Sequence, residues 1–290
     1  MDFLFSIEMA EAVINGILLG GLLALLALGL NLIFGVIDVT WICYAELIMV
    51  GMYGMYFLVT VYGVPIPLAV IACIALVAVF GMALHYIVIE PLLNAAPINQ
   101  LLATGGVLFF LQSFATVAFG IEFRNLGIRL PVLEVGDMFI SYPRLIAFGA
   151  ALVGMVLVYL FLTRTYTGIA IRAIAQDRQI MTLMGVDSRR IYLITSALGG
   201  GLAGLGACVL VLQYDVHPFV GLSFGPITFL ICVLGGLGNL IGGFIAAFVF
   251  AEIIAIGSLA SDLEWGYVLA FGFFIVMMFI RPGGLLARRS

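Results

Sequence analysis

The segment Gly235-Gly236-Leu237-Gly238-Asn239-Leu240-Ile241-Gly242-Gly243 interrupts an apolar region that extends from Gly221 to Ile256. A membrane-spanning helix needs about 20 mostly apolar residues, and each residue advances an α-helix by about 1.5 Å. The region is therefore too long for one simple span, and we expect it to turn at the glycines as two short spans or as a re-entrant pair. The same glycines are compatible with a role in close helix packing alone.

Composition excludes the soluble classes of protein. The 290 residues are 65% hydrophobic and 9% charged, whereas a soluble domain is about a quarter charged. All eleven basic residues are arginine and the net charge is −4. Such a chain has no basic field for nucleic acid. Because it has no lysine, it also lacks the phosphate-binding loop G-x-x-x-x-G-K-[ST].

Apolar runs on both sides of the glycine segment predict further membrane helices. They are Val13–Phe34, Trp41–Val61, Pro67–Ile89, Leu101–Gly120, Leu145–Leu162, Ile191–Leu212 and Gly266–Ile280. We therefore predict an all-α, polytopic membrane protein with about eight to nine transmembrane helices, including the broken or re-entrant glycine-turned pair. The whole chain, residues 1–290, is expected to form a single transmembrane domain.

Arginine placement predicts the orientation, because arginines stay on the cytoplasmic side. Eight of the eleven fall in loop 163–190 or after the last apolar run: Arg164, Arg172, Arg178, Arg189, Arg190, Arg281, Arg288 and Arg289. The others share a loop with acidic residues, which we assign to the outside: Arg124, Arg129 and Arg144, with Glu122, Glu134 and Asp137. The N-terminus is then outside and the C-terminus cytoplasmic. The N-terminal Asp2, Glu8 and Glu11 do not resemble the positive region of a cleaved signal peptide.

Few side chains carry chemistry. The four cysteines lie in apolar runs without a C-x-x-C pair, and His85 and His217 are isolated, so neither a metal site nor a catalytic site is predicted. Glu46 is the informative acid, because a carboxylate within an apolar run normally faces a bundle interior or a water-filled path. We expect Tyr44, Glu46 and Gly51 to line a substrate pathway with Gly235, Gly236 and Gly238. Glu46 could instead cap a helix at the cytoplasmic edge.

The loop 163–190 predicts a short amphipathic helix over residues 169–184. Gly185 suits the end of that helix, and Asp187 suits the N-cap of the following span. Such a helix is suited to dock into a groove on a cytosolic protein. An interfacial helix lying on the bilayer is the alternative.

Several motifs, in order along nearly the whole chain, resemble those of branched-chain amino-acid-type ABC importer permeases. In the loop they are Gly168-x-x-x-Arg172-Ala173-x-Ala175-x-Asp177 and Gly185-Val186, and elsewhere the small residues of 197–206 and the segments 24–35, 233–243 and 281–286. The resemblance implies that Gly168, Arg172, Ala173, Asp177 and Gly185 couple the chain to an ATPase. The family often has Asn-Phe-Ala-His-Gly-Glu where this chain has Trp41-Ile42-Cys43-Tyr44-Ala45-Glu46, which leaves the solute open.

The resemblance implies a permease subunit in a bacterial inner membrane rather than an enzyme. A periplasmic solute-binding protein would deliver a small polar solute, by default a branched-chain amino acid. A second permease, related or identical, would complete the path. Two cytosolic ATPase subunits would bind ATP-Mg, and this chain would bind no cofactor. The alternatives are an ion-coupled secondary transporter that uses Glu46 or Glu252, and a membrane scaffold.

Overall fold

The computed structural model describes residues 2–39, 41–128, 132–135, 138–259 and 263–286. Within these ranges the chain forms eleven α-helices and one short antiparallel hairpin. The elements are α1 (Asp2–Ile37), α2 (Tyr44–Tyr56), α3 (Ile66–Leu84), α4 (Pro97–Phe119), β1 (Val132–Val135), β2 (Met138–Ser141), α5 (Tyr142–Arg164), α6 (Tyr166–Ile174), α7 (Arg178–Leu183), α8 (Ser188–Leu210), α9 (Val220–Gly235), α10 (Leu240–Ser258) and α11 (Leu263–Ile280). Short irregular helical turns extend α2 and α3, over Phe57–Val61, His85–Ile89 and Glu90–Leu92.

The helices confirm the predicted all-α membrane fold. Seven helical segments among the described residues are long and apolar enough to cross a membrane, and two shorter apolar helices cover Val220–Gly235 and Glu264–Ile280. The predicted runs locate these helices to within a few residues, except that α1 begins well before Val13 and α2 begins at Tyr44 rather than Trp41. The hairpin β1–β2, which pairs Val132 with Ser141, was not predicted and lies in the polar stretch between α4 and α5.

Helix α1 is the central element of the bundle. Its second half is buried on every side, with Leu25, Leu26 and Ile33 fully inaccessible to solvent. Glycines let neighbouring helices approach it closely: the backbone of Phe248 in α10 lies against Gly20, and that of Phe148 in α5 lies against Gly21. Small residues have this role in membranes because lipid supplies no hydrophobic force between helices, so close contact has to stabilise them.

The glycine segment forms a turn between α9 and α10, as predicted. Gly236 and Gly238 have φ angles of 96° and 80°, a conformation that favours glycine. The turn lies near the C-terminal end of α1, because Gly238 packs on Gly35. Farther along α10, Glu252 lies against Gly16, so α10 runs antiparallel to α1. The two helices α9 and α10 therefore form an apolar hairpin.

The molecule has two distinct ends. We call the end that carries α6, α7, the glycine turn and the tail 281–286 the α6–α7 end. The opposite end carries the β1–β2 hairpin, and we call it the hairpin end. At the hairpin end, Arg124 and Val216 exchange backbone hydrogen bonds of 3.0 and 2.7 Å. The described arginines of the predicted cytoplasmic group all lie at the α6–α7 end, whereas Arg124 and Arg144 do not. Arg129, Asp137, Arg288 and Arg289 lie outside the described residues.

The predicted single helix over residues 169–184 is wrong. The segment forms two helices, α6 and α7, because the Asp177 carboxylate accepts a hydrogen bond of 3.0 Å from the Ile180 amide and so starts a new helix. Thr165 caps α6 in the same way through the Gly168 amide, at 3.0 Å. The predicted ends are confirmed: Gly185 has a φ of 85°, and Asp187 caps α8 by accepting from the amides of Arg189 and Arg190.

Candidate functional site

Glu46 is fully buried in the first turn of α2. Its Oε1 accepts a hydrogen bond of 2.9 Å from Nε2 of Gln112 in α4. Its Oε2 has no hydrogen-bond partner among the described residues. A buried carboxylate with one oxygen unpaired among the described residues is costly in a protein interior, which makes Glu46 a candidate functional group.

The N-terminus of α9 also faces this carboxylate. A Cβ atom at Gly221 would lie 2.5 Å from Oε1 of Glu46, so only glycine allows α9 to come this close. Because helix N-termini carry partial positive charge, the starts of α2 and α9 both favour a negative Glu46. Glu46 is buried and makes no capping hydrogen bond in α2, so the alternative of a helix cap at a solvated cytoplasmic edge is not observed.

An apolar cavity of about 300 Å³ lies next to this carboxylate, between α2, α4 and α9. Ala45 and Gly221 line the cavity and separate it from Glu46. The other lining residues are Leu30, Trp41, Ile42, Tyr44, Leu101, Leu108, Leu222, Gly225, Pro226 and Phe229. The site thus combines an apolar chamber with a buried acid directly behind its wall, an arrangement suited to a small amphipathic molecule.

Tyr44 contributes to this cavity and also ties α2 to α8. Its hydroxyl donates a hydrogen bond of 3.4 Å to the carbonyl of Gly199, which lies in the middle of α8. A Cβ at Gly29 would overlap that hydroxyl, so the ring fits between α1 and α8 only because Gly29 is small. Gly51 does not line the cavity; it packs on Ala207 and Val77, where α2 meets α8 and α3.

The three turn glycines that were predicted to line the pathway, Gly235, Gly236 and Gly238, do not line the cavity beside Glu46. Gly235 packs against the backbone of Gly242 and Gly243. Helix α9 has 16 residues, so about 24 Å separates its two ends, with Glu46 at one end and the glycine turn at the other. The structure therefore divides the predicted pathway residues between two places.

Asn31 holds the glycine turn against α1. Its Nδ2 donates to the carbonyl of Asn239 at 3.0 Å, and its Oδ1 accepts from the amide of Gly238 at 2.8 Å. The tail adds two bonds, because Leu285 donates its amide to the Leu234 carbonyl at 2.7 Å and Asn239 Nδ2 donates to the Leu286 carbonyl at 3.0 Å. The turn is thus fixed from both sides.

A second cavity, of about 690 Å³, connects the glycine turn with the loop segment. It lies at the α6–α7 end, and its walls include Gly236 and Gly238, the exposed Arg172 of α6, and Leu286 of the tail. Nothing in the sequence places Arg172 beside these glycines, because the contact joins regions that are distant along the chain.

The segment α6–α7 is anchored on one side and open on the other. Ile171 and Ile174 of α6 are buried, and Gly168 packs against the backbone of Phe161 and Leu162. Ala173 is partly buried beside Arg172. Apolar side chains nevertheless protrude: Tyr166, Leu183 and Met184 are 85%, 88% and 75% exposed. Exposed apolar side chains of this kind suit either a groove on a partner protein or the surface of the bilayer.

Within the part of the chain that the structure describes, the histidines and acids outside this site form no metal centre. Among the described residues, no group of three or more His, Cys, Asp or Glu side chains is placed to hold a metal ion. His217 packs against Phe123 at the hairpin end, with ring centroids 4.8 Å apart. Burial lowers the pKa of His217, and the nearby Asp215 opposes that shift. Glu252 is half-buried against Gly16, about three turns of α10 from the glycine turn.

Two residues of the site were missed by sequence reasoning. Gln112 was assigned to no site from the sequence, and Gly221 was only the start of the apolar region Gly221–Ile256. The spacing Gly221, Gly225 and Pro226 places small residues along one part of α9, which is a signal for close approach by a neighbouring helix.

Comparison with known proteins matches the chain to one protein family. Residues 12–278 match the model of the family described as "Branched-chain amino acid transport system / permease component". The chain is 27% identical to the high-affinity branched-chain amino acid transport system permease protein BraD of Pseudomonas aeruginosa, over 96% of this chain and 95% of BraD. It is 23% identical to LivH of Escherichia coli K12, a permease protein of the same description, over 96% of this chain and 95% of LivH.

Among solved structures, the chain is similar to PsaBC from Streptococcus pneumoniae in complex with Fab. The TM-score is 0.52 at 14% identity, over 93% of this chain and 91% of that chain. At that identity the similarity concerns the fold alone.

Proposed function

Because this chain belongs to the branched-chain amino acid transport permease family, we propose that it carries a branched-chain amino acid along a path that includes the cavity beside Glu46. The chain is a multi-pass membrane protein of the bacterial inner membrane and a permease subunit of an ABC importer, with ATP hydrolysis on separate subunits. The observation that carries the proposed path is the position of Glu46 Oε2, which has no hydrogen-bond partner among the described residues and lies directly behind the wall of an apolar cavity.

The cavity chemistry matches the proposed solute. A branched-chain amino acid has an apolar side chain, which suits walls built from Leu30, Leu108 and Phe229. Its ammonium group needs an anionic partner, which Glu46 supplies once α9 moves away at Gly221. A charge-assisted hydrogen bond between ammonium and carboxylate is stronger than a neutral one. A cavity of about 300 Å³ is at the small end of the range for ligand pockets, which favours a solute of this size.

The segment α6–α7 is the proposed contact with the ATPase. Tyr166, Leu183 and Met184 offer exposed apolar side chains, and Arg172 and Arg178 offer charge at the same end of the molecule. Such a mixed surface fits a protein groove. In this proposal Gly168 and Asp177 set the geometry of α6 and α7, Ala173 keeps the surface flat beside Arg172, and Gly185 ends the segment. ATP-Mg binds to the ATPases.

The remaining partners and the orientation belong to the same proposal. The α6–α7 end faces the cytoplasm, because six of the described arginines lie there, and the N-terminus is outside. A periplasmic binding protein delivers the solute to the hairpin end. A second permease, related or identical, covers the side of the bundle onto which the cavity opens, where Leu101 and Leu222 are exposed.

Reconstitution tests this proposal. The chain is co-expressed with the ATPases, the binding protein and the second permease proposed as its partners, purified, and inserted into liposomes. We expect uptake of radiolabelled leucine only with ATP on the α6–α7 side and binding protein on the other. Uptake driven by an ion gradient, without ATP or binding protein, would contradict it and favour a secondary transporter that uses Glu46 or Glu252.

A further inference from the structure

Four side chains form a continuous line of contacts from α7 to the cavity. The guanidinium of Arg178, in the first turn of α7, lies 5.2 Å from the ring centroid of Tyr192. The Tyr192 ring lies 6.2 Å from the His85 ring, which lies 6.5 Å from the ring of Trp41. Trp41 lines the cavity beside Glu46. The line crosses from α7 through α8 and α3 to the segment before α2.

Two side chains of this line carry buried nitrogens without hydrogen-bond partners among the described residues, which is unusual for a protein interior. His85 is fully buried, yet neither ring nitrogen has a hydrogen-bond partner among the described residues, and the same holds for Nε1 of Trp41. Because no described residue hydrogen-bonds to the His85 ring, packing positions it, and that packing includes the rings of Tyr192 and Trp41. His85 also begins the π-helical turn His85–Ile89, and such turns frequently occur at functional sites.

Helix α8 contacts the residues around the cavity at two points. It starts directly after the α6–α7 segment, and Tyr192 and Gly199 are two turns apart on one of its faces. Tyr192 contacts His85, and Gly199 accepts the hydrogen bond from Tyr44. A displacement of α8 therefore acts on the start of α2 at two points, through Trp41 and through Tyr44.

We propose that Arg178, Tyr192, His85 and Trp41 form an aromatic relay that transmits movement of the α6–α7 segment to the cavity beside Glu46. This inference rests on the proposed function, since it assigns the ATPase contact to α6–α7. Tyr192 and His85 act as positioning residues: they touch neither the solute nor the ATPase, and they set the position of the Trp41 ring. The ring contacts carry the effect, whereas the Tyr192 hydroxyl and the His85 nitrogens do not.

Position 42 offers a reporter for the test. Ile42 lines the cavity and is 38% exposed, whereas the four native cysteines are free and buried. In the complete reconstituted transporter carrying Ile42→Cys, the rate of maleimide labelling at this position is measured without nucleotide and with a non-hydrolysable ATP analogue. We expect the analogue to change the rate by about fivefold or more, a usual size for coupling between two sites.

Relay variants then separate coupling from packing. Tyr192→Leu and His85→Leu should abolish the response to nucleotide, measured for each variant as the ratio of its labelling rates with and without the analogue. Tyr192→Phe and His85→Phe, which keep the rings, should retain the response. Tyr86→Leu is the matched control, because Tyr86 neighbours His85 but is 56% exposed and contacts Arg189 instead.

Three results would overturn the relay. The first is a full nucleotide response in both leucine variants. The second is a parent protein that does not respond to nucleotide at position 42. The third is loss of response in all four variants together with lower unfolding midpoints, which would indicate packing alone. Each is distinguishable from failure of the proposed function, because ATP-dependent leucine uptake is measured in the same liposomes.

Discussion

Gly221 of α9 lies so close to Glu46 of α2 that a Cβ atom there would come within 2.5 Å of the carboxylate oxygen Oε1. This approach brings two helix N-termini to one buried acid, and the Gln112 amide completes its surroundings at 2.9 Å. Gly221 lines the apolar cavity and Glu46 lies behind it, so the contact between Gly221 and Glu46 decides whether the acid is accessible from the cavity.

Gly221→Ala should therefore destabilise the protein. The added methyl group has to displace either α9 or the Glu46 side chain, and overpacking of this kind costs about 1–3 kcal/mol. Gly105→Ala in α4 is the matched control, because no atom lies within 4 Å of a Cβ built there. Thermal unfolding in detergent measures the difference. Equal unfolding midpoints for the two variants would contradict the described contact.

Asn31→Ala should destabilise the glycine turn. The change removes two hydrogen bonds, of 3.0 and 2.8 Å, and leaves the part-buried Gly238 amide without that partner, whereas the Asn239 carbonyl keeps its bond from the Gly243 amide. Leaving one such amide unsatisfied costs about 1–3 kcal/mol. Asn125→Ala is the control, because its bond to Asp215 is exposed. Unfolding midpoints compare the two, and a larger loss for Asn125→Ala would refute the anchoring role of Asn31.

Asp177→Ala should weaken ATPase binding, whereas Asp177→Asn should preserve it. The Asp177 side chain caps α7 through the Ile180 amide, and removal of such a cap costs about 0.5–2 kcal/mol of helix stability. Asparagine caps almost as well, so it keeps α7 formed without the charge. Co-purification of the ATPase with each variant measures the effect. If both variants lost the ATPase equally, the charge and not the cap would be responsible.

Much of the fold could be predicted from the sequence because membrane helices depend on local composition. A run such as Leu145–Leu162 can adopt few structures other than a helix in lipid, because every backbone group there needs an internal hydrogen-bond partner. Helix α5 includes the whole of this run. The glycine turn was predictable for a similar local reason, since Gly236 and Gly238 adopt a conformation that favours glycine. The split between α6 and α7 was missed because the periodic pattern continues through Asp177, whose capping bond breaks the helix.

The candidate site was predictable only in part. Glu46 is identifiable because an acid in an apolar run is costly, but its partner Gln112 lies 66 positions away along the chain. No local pattern pairs residues at that separation. For the same reason the sequence grouped Gly235 with Glu46, whereas the structure places them near opposite ends of α9.

Uptake by Glu46→Gln is the most direct test of the proposed path, with Glu252→Gln as the control acid in α10. Glutamine keeps the shape and hydrogen-bonding capacity of Glu46 but cannot pair its charge with an ammonium group. In liposomes that hold equal amounts of assembled transporter, we expect ATP-driven leucine uptake to fall about tenfold or more for Glu46→Gln, equivalent to about 1.4 kcal/mol. Glu252→Gln should stay near the parent rate. Parent-like uptake by Glu46→Gln would contradict the assignment of the solute path to the cavity beside Glu46.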